Sequence, residues 1–485
     1  MPRSDAASDA VAEVLAGPSG PSIGAFFDYD GTVIHGFSAG AFYSHRIRQL
    51  EIGPVEAFNT IRHTIRGVTT ETEFERLMGV VFQSLAGRPF EELSAIGEKI
   101  FAKRIAGRVF PEAWQLIRAH ERMGHTLVLA SSASRFQVEP AARSLGIANV
   151  LCTDAEVNEH GKLTGRTEGT ALWREGKAQA VIDFAKERKI RLDDSFAYSN
   201  GDEDVPFLST VGRPRAVNPG KALLAHAQKS DWPVFSFADR GRPSLPRIAR
   251  TTAAYGGMAT AMGAGLAFGL LNRDKQVGLD TVSSLIGDLA LPLVGVHLNV
   301  QGEEHLWSHR PAVFLFNHQS QLDMPILCKL LRGGFTAVAK KELASDPFFG
   351  VAFRAAGVAF VDRSGKADPR TALDPAVQKL REGISVVVAP EGTRSLTPAL
   401  DNFKKGGFHL AMQAGVPIVP IVIRNAGELM WRDSATIRSG QVDVAVLPPI
   451  DVTHWSTDSL DDHIAGVRNL YLETLADWPA PGDSA

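Results

Sequence analysis

Only two cysteines, Cys152 and Cys328, occur in 485 residues. So few exclude a disulfide framework and any zinc site built from thiolates alone, and they suit a reducing compartment. A surplus of one charge is also missing. Lysine and arginine number 51 against 54 aspartate and glutamate, for a net charge of −3. The basic domain that a nucleic-acid partner requires is therefore absent. Nor is there a run of about 20 strongly apolar Leu, Ile and Phe residues that would read as a firm membrane span. Residues 1–20 lack the apolar stretch of a secretory leader; rich in Ala, Asp and Ser, they are expected to be a disordered tail. Apolar residues at 44% and charged residues at 22% exclude a disordered, collagen-like or fibrous chain. At about 150 residues per domain, the length implies two or three domains.

Two stretches alternate short apolar strands with helical patterns, which argues for parallel α/β sheets. The first has predicted strands at 23–27, 126–130 and 195–198 and helices near 136–145 and 176–187. Between its first two strands the pattern is helical from about 36 to 120, too long for a loop, and reads as an inserted cap. The second stretch has predicted strands at 312–316, 335–339, 384–389, 418–423 and 442–446. Between the two, residues 236–250 shift to Arg, Pro and Ser, a boundary signal. Residues 251–271 then carry no charge, and 11 of these 21 are Gly or Ala, with Gly265 and Gly269 at Gly-xxx-Gly spacing. Arg247, Arg250, Arg273 and Lys275 flank the run. Val282, Leu285, Ile286 and Leu289 continue at helical spacing. This reads as a membrane-associated helix hairpin, the alternative being a soluble packing helix. The expected divisions are a tail at 1–20, a first α/β domain at 21–235, a linker with membrane-associated helices at 236–299, and a second α/β domain at 300–480.

The first α/β stretch carries Asp28-Tyr29-Asp30-Gly31-Thr32 just past its opening strand, where open α/β sheets bind ligands. Two carboxylates one residue apart, followed by Gly, suit a hard cation and a phosphoryl group. Alone the pair is common; Asp202 and Asp204 match it too. Ser131 ends the next strand, Lys177 opens a later helix, and Asn200 and Asp204 follow a further strand. In that order the set resembles the haloacid dehalogenase-like (HAD) phosphatases, in the phosphoserine-phosphatase branch, over about residues 21–219. The resemblance implies a doubly wound, Rossmann-like domain with a helical cap. It also implies Asp28 as the nucleophile, Asp30 as general acid and then base, Ser131 and Lys177 as phosphate ligands, and Mg²⁺ held by Asp28, Asp30 and Asn200. The substrate would be a phosphomonoester. The sequence departs from the family at Asn200, where an Asp is usual. An amide oxygen still ligates but gives up a charge, so metal binding should weaken unless Asp202 compensates.

The second α/β stretch carries Asn317-His318-Gln319-Ser320-Gln321-Leu322-Asp323 behind an apolar strand. A competing His-x4-Asp, His226 and Asp231, has no strand feeding it and is taken as a chance match. Downstream come Lys340-Lys341-Glu342-Leu343, Phe360-Val361-Asp362-Arg363, Pro390-Glu391-Gly392-Thr393-Arg394-Ser395 and Val416-Pro417-Ile418-Val419-Pro420. This ordered set resembles the glycerolipid acyltransferases, most closely the 1-acylglycerol-3-phosphate acyltransferases, over about residues 295–475. The resemblance implies an α/β acyltransferase domain without a protein nucleophile, in which the acceptor's hydroxyl attacks a thioester. His318 would be the base and Asp323 its orienting partner. Arg363 and Arg394 would grip a phosphomonoester bidentately, with Glu391 a positioning residue, Gly392 letting the backbone approach the ligand closely, Thr393 beside them in the substrate site, and Lys340 helping with phosphate or the oxyanion.

Together these readings describe an enzyme of phospholipid synthesis with a fused Mg²⁺-dependent phosphatase. The acyl donor would be acyl-CoA or an acyl carrier protein, the acceptor lysophosphatidate, and the product phosphatidate. Its place would be on the cytoplasmic face of a membrane, peripheral or monotopic, with no nucleic-acid partner and with oligomerisation left open. Two alternatives stay open: an N-terminal half that binds or regulates rather than hydrolyses, and a different glycerolipid acceptor.

Overall fold

The computed structural model describes residues 5–49, 70–237, 243–340, 359–361, 373–432 and 434–478. The chain divides into two units, residues 1–241 and 242–485, so the break falls inside the Arg/Pro/Ser-rich segment.

In the first unit, seven strands form one sheet in the order β4-β3-β2-β1-β5-β6-β7. These are β1 Gly24–Phe27, β2 Thr126–Ser134, β3 Asn149–Val157, β4 Leu163–Glu168, β5 Phe196–Ser199, β6 Arg213–Val217 and β7 Val234–Phe235. All neighbours are parallel except β3 and β4. β1 is buried along its whole length, as its apolar run Ala25-Phe26-Phe27 requires. Register then fixes the site. Phe27 lies opposite Leu129 on one side and Tyr198 on the other. The residues that follow, Asp28, Ser131 and Asn200, thus emerge at one sheet edge.

Helices Ser38–Arg48, Glu71–Ser84 and Phe90–Ile100 occupy the insertion after β1. The last helix of the expected cap, Pro111–Arg122, packs on β2 instead, burying Leu116, Ile117 and His120. The expected N-terminal tail is another correction. Residues Asp5–Ala16 form a helix that packs on Pro111–Arg122. Ala10 and Val14, one turn apart, are 4% and 1% exposed, and Glu13 pairs with Arg215. Ala10 and Val14 supply the buried face of a helix whose other side is largely Ala, Asp, Ser and Glu, with Leu15 left exposed.

The second unit has a seven-stranded sheet in the order β11-β10-β12-β9-β13-β14-β8. Its strands are β8 Val296–Gln301, β9 Val313–Phe316, β10 Phe335–Lys340, β11 Ala359–Val361, β12 Ser385–Val388, β13 Ile418–Ile423 and β14 Gly440–Val446. Only β13 and β14 run antiparallel. β9 sits centrally, with Leu315 opposite both Val388 and Pro420. Three residues on, His318 and Glu391 come level with each other.

Residues expected to link the domains belong to this unit. Helices Leu245–Asn272 and Lys275–Val294 form a hairpin whose root is core: Ala254, Leu291 and Val294 pack with Val296, Leu306 and Phe314. Along the seam, a Cβ on Gly265 would lie 2.2 Å from Val282 Cγ2, and one on Gly278 would lie 2.7 Å from Gly265 O. The Gly-xxx-Gly face thus lets the two helices approach each other. The outward side leaves Leu266, Leu270 and Leu271 66%, 70% and 80% exposed. Both helices are long and apolar enough to enter a membrane.

Candidate active sites

At the first sheet's edge Asp28 is buried and ends β1. Its Oδ1 accepts from Lys177 Nζ at 2.7 Å, and the same ammonium donates to Asp204 Oδ2 at 2.8 Å. Ser199 Oγ donates to that Asp204 oxygen at 2.5 Å. Lys177, itself buried, is thus paired twice, as a buried cation must be. Burial pushes the Asp28 carboxyl up to about 7, against the pull of Lys177 and with help from Asp204. Burial likewise raises Asp30 to about 6, a value suited to giving and taking a proton near neutrality. Asp30 is held by the insertion: its two oxygens accept from Ser38 N at 2.7 Å and Ser38 Oγ at 3.0 Å, at the start of helix Ser38–Arg48.

Thr32 Oγ1 lies 3.1 Å from Asp28 Oδ2 and 3.1 Å from Asn200 Oδ1, so these two oxygens converge. Gly31 makes room for them. Its φ is +84°, and a Cβ there would stand 2.3 Å from Asn200 Nδ2. A carboxylate and an amide oxygen, with water and phosphate completing the shell, fit Mg²⁺. Among the described residues no three His, Cys, Asp or Glu side chains gather to hold a metal, which accords with Asn standing at position 200. Asp30 differs from the expected ligand set, because both its oxygens serve Ser38. Asp202 turns one oxygen elsewhere: its Oδ1 accepts from Leu223 N at 2.8 Å, in the first turn of the helix Lys221–Lys229. Ser131 is buried and accepts from Ala133 N.

In the second unit His318 Nδ1 lies 2.7 Å from Asp323 Oδ2. That oxygen also accepts from Gln319 N at 2.8 Å and Ser320 N at 2.9 Å. Because a carboxylate only accepts, Nδ1 carries the proton and Nε2 keeps its lone pair. Asp323 is fully buried at the start of helix Asp323–Leu331. Burial raises its carboxyl even against the pull of His318 and two amides. The alternative pair is not built this way. His226 sits edge-on to Trp232 and 3.4 Å from Ser230 Oγ.

Glu391, buried, stitches the two loops together. Its Oε1 accepts from His318 N at 2.7 Å; its Oε2 accepts from Ser395 Oγ at 2.7 Å and Asp401 N at 3.1 Å. Ser395 N closes the loop by donating to His318 O at 2.8 Å. Desolvation raises the Glu391 carboxyl. Gly392 turns the chain with φ +76°, and Thr393 beyond it is exposed. Arg394 Nη1 is buried without a hydrogen-bond partner, and Arg432 Nη1 donates to Arg394 O at 2.7 Å. Arg363 and the side chain of Lys340 lie outside the described residues. Asn317, overlooked as a site residue, exchanges two 2.7 Å bonds with Ile423 at the end of β13. Its position directly before His318 was the available signal. Thr32 and Ser395, also overlooked, lie within the quoted motifs.

Residues 297–424 match the acyltransferase family model, and residues 25–209 match that of the haloacid dehalogenase-like hydrolases. Over 193 residues, 39% of this chain and 68% of the relative, the sequence is 34% identical to 1-acyl-sn-glycerol-3-phosphate acyltransferase of Limnanthes alba. The chain belongs to this acyltransferase family. It is an α/β enzyme with a haloacid dehalogenase-like domain ahead of its acyltransferase domain. Among solved structures, the acyltransferase PlsC of Thermotoga maritima is 25% identical, with 49% of this chain and 99% of that one covered and a TM-score of 0.41. A probable phosphoserine phosphatase of Vibrio cholerae is 18% identical, covering 45% and 62%, with a TM-score of 0.35.

Proposed function

We propose that the acyltransferase domain moves an acyl chain from acyl-CoA or an acyl carrier protein to the sn-2 hydroxyl of lysophosphatidate, giving phosphatidate. The observation that carries this is the His318–Asp323 pair, in which a buried carboxylate engages Nδ1 and Nε2 has no hydrogen-bond partner among the described residues. The acceptor's hydroxyl gives its proton to Nε2 while its oxygen attacks the thioester carbonyl carbon. Asp323 holds the ring and stabilises the imidazolium. Collapse of the tetrahedral adduct breaks the C–S bond, and the proton on Nε2 leaves with the thiol. Arg394, with Arg363, would bind the acceptor's phosphate. Glu391 positions His318 through its backbone amide.

For the haloacid dehalogenase-like domain the reading is phosphomonoester hydrolysis. Asp28 attacks phosphorus as Asp30 protonates the leaving oxygen; Asp30 then takes a proton from the water that cleaves the aspartyl-phosphate. Lys177 holds Asp28 in place, and Ser131 stands ready for phosphate oxygens. Asp28 and Asn200 would hold Mg²⁺, which when bound would screen charge between phosphate and carboxylate. The uncharged Asn200 supports a second reading, in which this domain binds phosphate esters without turnover.

The exposed leucines of the hairpin support a monotopic seat in one leaflet, with Arg247, Arg250, Arg273 and Lys275 near anionic headgroups on the cytoplasmic face. One incubation tests the acyl-transfer reading: purified chain, lysophosphatidate, oleoyl-CoA and Mg²⁺, following lipids and free phosphate. Phosphatidate formation is expected. Its absence, both here and in a repeat with an acyl carrier protein thioester as donor, overturns the acyltransferase reading; in a separate assay, failure to release phosphate from a broad ester panel favours the binding module.

A further inference from the structure

The turn that braces His318 carries a second cation. Lys404 lies nine residues beyond the Pro390–Ser395 motif, yet the chain brings it back, its N–H donating to Pro390 O at 2.8 Å. The return is pinned on both sides. Glu391 Oε2 accepts from Asp401 N, and Arg468 donates to Leu400 O at 2.9 Å and Asp401 O at 3.1 Å. The Lys404 side chain then lies flat across Gly392: a Cβ there would stand 2.9 Å from Nζ, 3.1 Å from Cδ and 3.3 Å from Cε. Gly392 is required for its φ, and the lysine chain uses the room that the missing Cβ leaves.

Nothing nearby neutralises this ammonium. Lys404 is exposed, and among the described residues no carboxylate pairs with it. Its neighbour Lys405, by contrast, sits 2.8 Å from Asp461. Glu391, the acid of the turn, spends its oxygens on Ser395 Oγ and two backbone amides. Two residues from Gly392, Arg394 keeps a buried Nη1 without a partner. A buried donor left unmade is costly, and buried polar groups are normally satisfied. Two cations on one turn, one with an orphaned donor, describe a receptor for an anion.

We propose that Lys404 binds the phosphomonoester of the acyl acceptor together with Arg394. This rests on the lysophosphatidate reading above and extends it by a residue outside the quoted motifs, though within the matched acyltransferase region. Phosphate can also arrive on the donor, as part of CoA, and the kinetics separate the two sources.

The test uses the full chain with Lys404→Ala, Lys404→Arg and Lys405→Ala, assayed with lysophosphatidate and oleoyl-CoA. Lys404→Ala should raise KM for lysophosphatidate by about 10- to 100-fold, the share expected of one charge-assisted contact. Its kcat and its KM for oleoyl-CoA should stay within about twofold. Lys404→Arg should recover most of the loss, and Lys405→Ala should match wild type. A rise in KM for oleoyl-CoA instead, or no change in either constant, overturns the proposal. Titration of sn-glycerol 3-phosphate by calorimetry gives a readout independent of turnover: wild type should bind more tightly than Lys404→Ala. Equal heats, zero included, overturn the proposal. If wild type makes no phosphatidate while its binding of glycerol 3-phosphate still depends on Lys404, the acyl-transfer reading alone fails.

Discussion

A single ring nitrogen carries the proposed acyl-transfer chemistry. His318→Ala removes the base and should lower kcat by about 10²- to 10⁴-fold, while His226→Ala, at the chance match, should leave steady-state turnover unchanged. Equal losses in both would sink the assignment. His318, Asp323 and the Pro390–Ser395 motif were legible from residue type and order. Glu391 read as a positioning residue, but what it positions was not legible, because its partners include backbone amides 73 and 10 residues away. The same limit hid Asp202. As one of two Asp-x-Asp pairs it looked available to a metal, and only the packing of helix Lys221–Lys229 shows one of its oxygens turned elsewhere.

Elements followed their sequence patterns wherever the pattern was apolar. β13 begins and ends where the run Ile-Val-Pro-Ile-Val-Ile does, since a strand buried on both faces must be apolar throughout. β6 was missed because Arg213, Pro214 and Arg215 disguise it. Its buried Arg215 finds partners in Glu13 and Pro214 O. The hairpin was anticipated, but the side its glycines face was decided by packing. Two kinds of substitution should therefore diverge. Gly265→Leu collides with Val282 and Gly278 across the seam and should lower the melting temperature. Leu270→Asp with Leu271→Asp, on the exposed side, should leave the melting temperature near wild type. It should also weaken co-sedimentation with anionic phosphatidylglycerol vesicles at least tenfold, as expected for loss of buried apolar area and added negative charge. Undiminished co-sedimentation would show that this face does not meet the bilayer.

For the whole molecule, two units place the two proposed activities on separate sites, which mutations should separate. Asp28→Asn should abolish phosphate release from an aryl phosphate without changing acyl transfer, and combined with His318→Ala the two losses should be independent. A drop in acyl transfer in Asp28→Asn would mean the halves are coupled. Stability should also depend on pH through the first unit. His120 Nδ1 lies 2.7 Å from His125 Nδ1, His120 Nε2 2.8 Å from Tyr198 Oη, and His125 Nε2 2.8 Å from Pro18 O. Burial holds both imidazoles below their ordinary 6.5, helped by Arg215 at His120 and Arg213 at His125. Below pH 6.5 the unfolded chain therefore takes up protons that the folded chain refuses. The histidines' share of the stability falls as pH drops, by up to about 1.4 kcal/mol per pH unit for each proton, whereas the raised carboxyls of Asp28 and Asp30 act in the opposite direction at the other end of the sheet, so the effect is read locally. Hydrogen exchange of the helix Asp5–Ala16 and of β1, corrected for intrinsic rates, should show less protection at pH 5.5 than at 7.5. Equal protection would mean that the pair accepts a proton without opening.

Sequence alone made legible the two α/β halves, the order of their motifs, and Asp28 and His318 close behind buried apolar strands. Those features are local: an apolar run makes a buried strand, and the residue after it is placed at the sheet's edge whatever else the chain does. Tertiary structure decided what depends on distant partners. It turned the expected tail into a helix by giving Ala10 and Val14 a surface, drew the hairpin's root into the core through Ala254 and Leu291, and committed Asp30 to Ser38. It also laid Lys404 across Gly392, since a contact between residues 12 apart through a turn and a return loop has no periodicity to announce it.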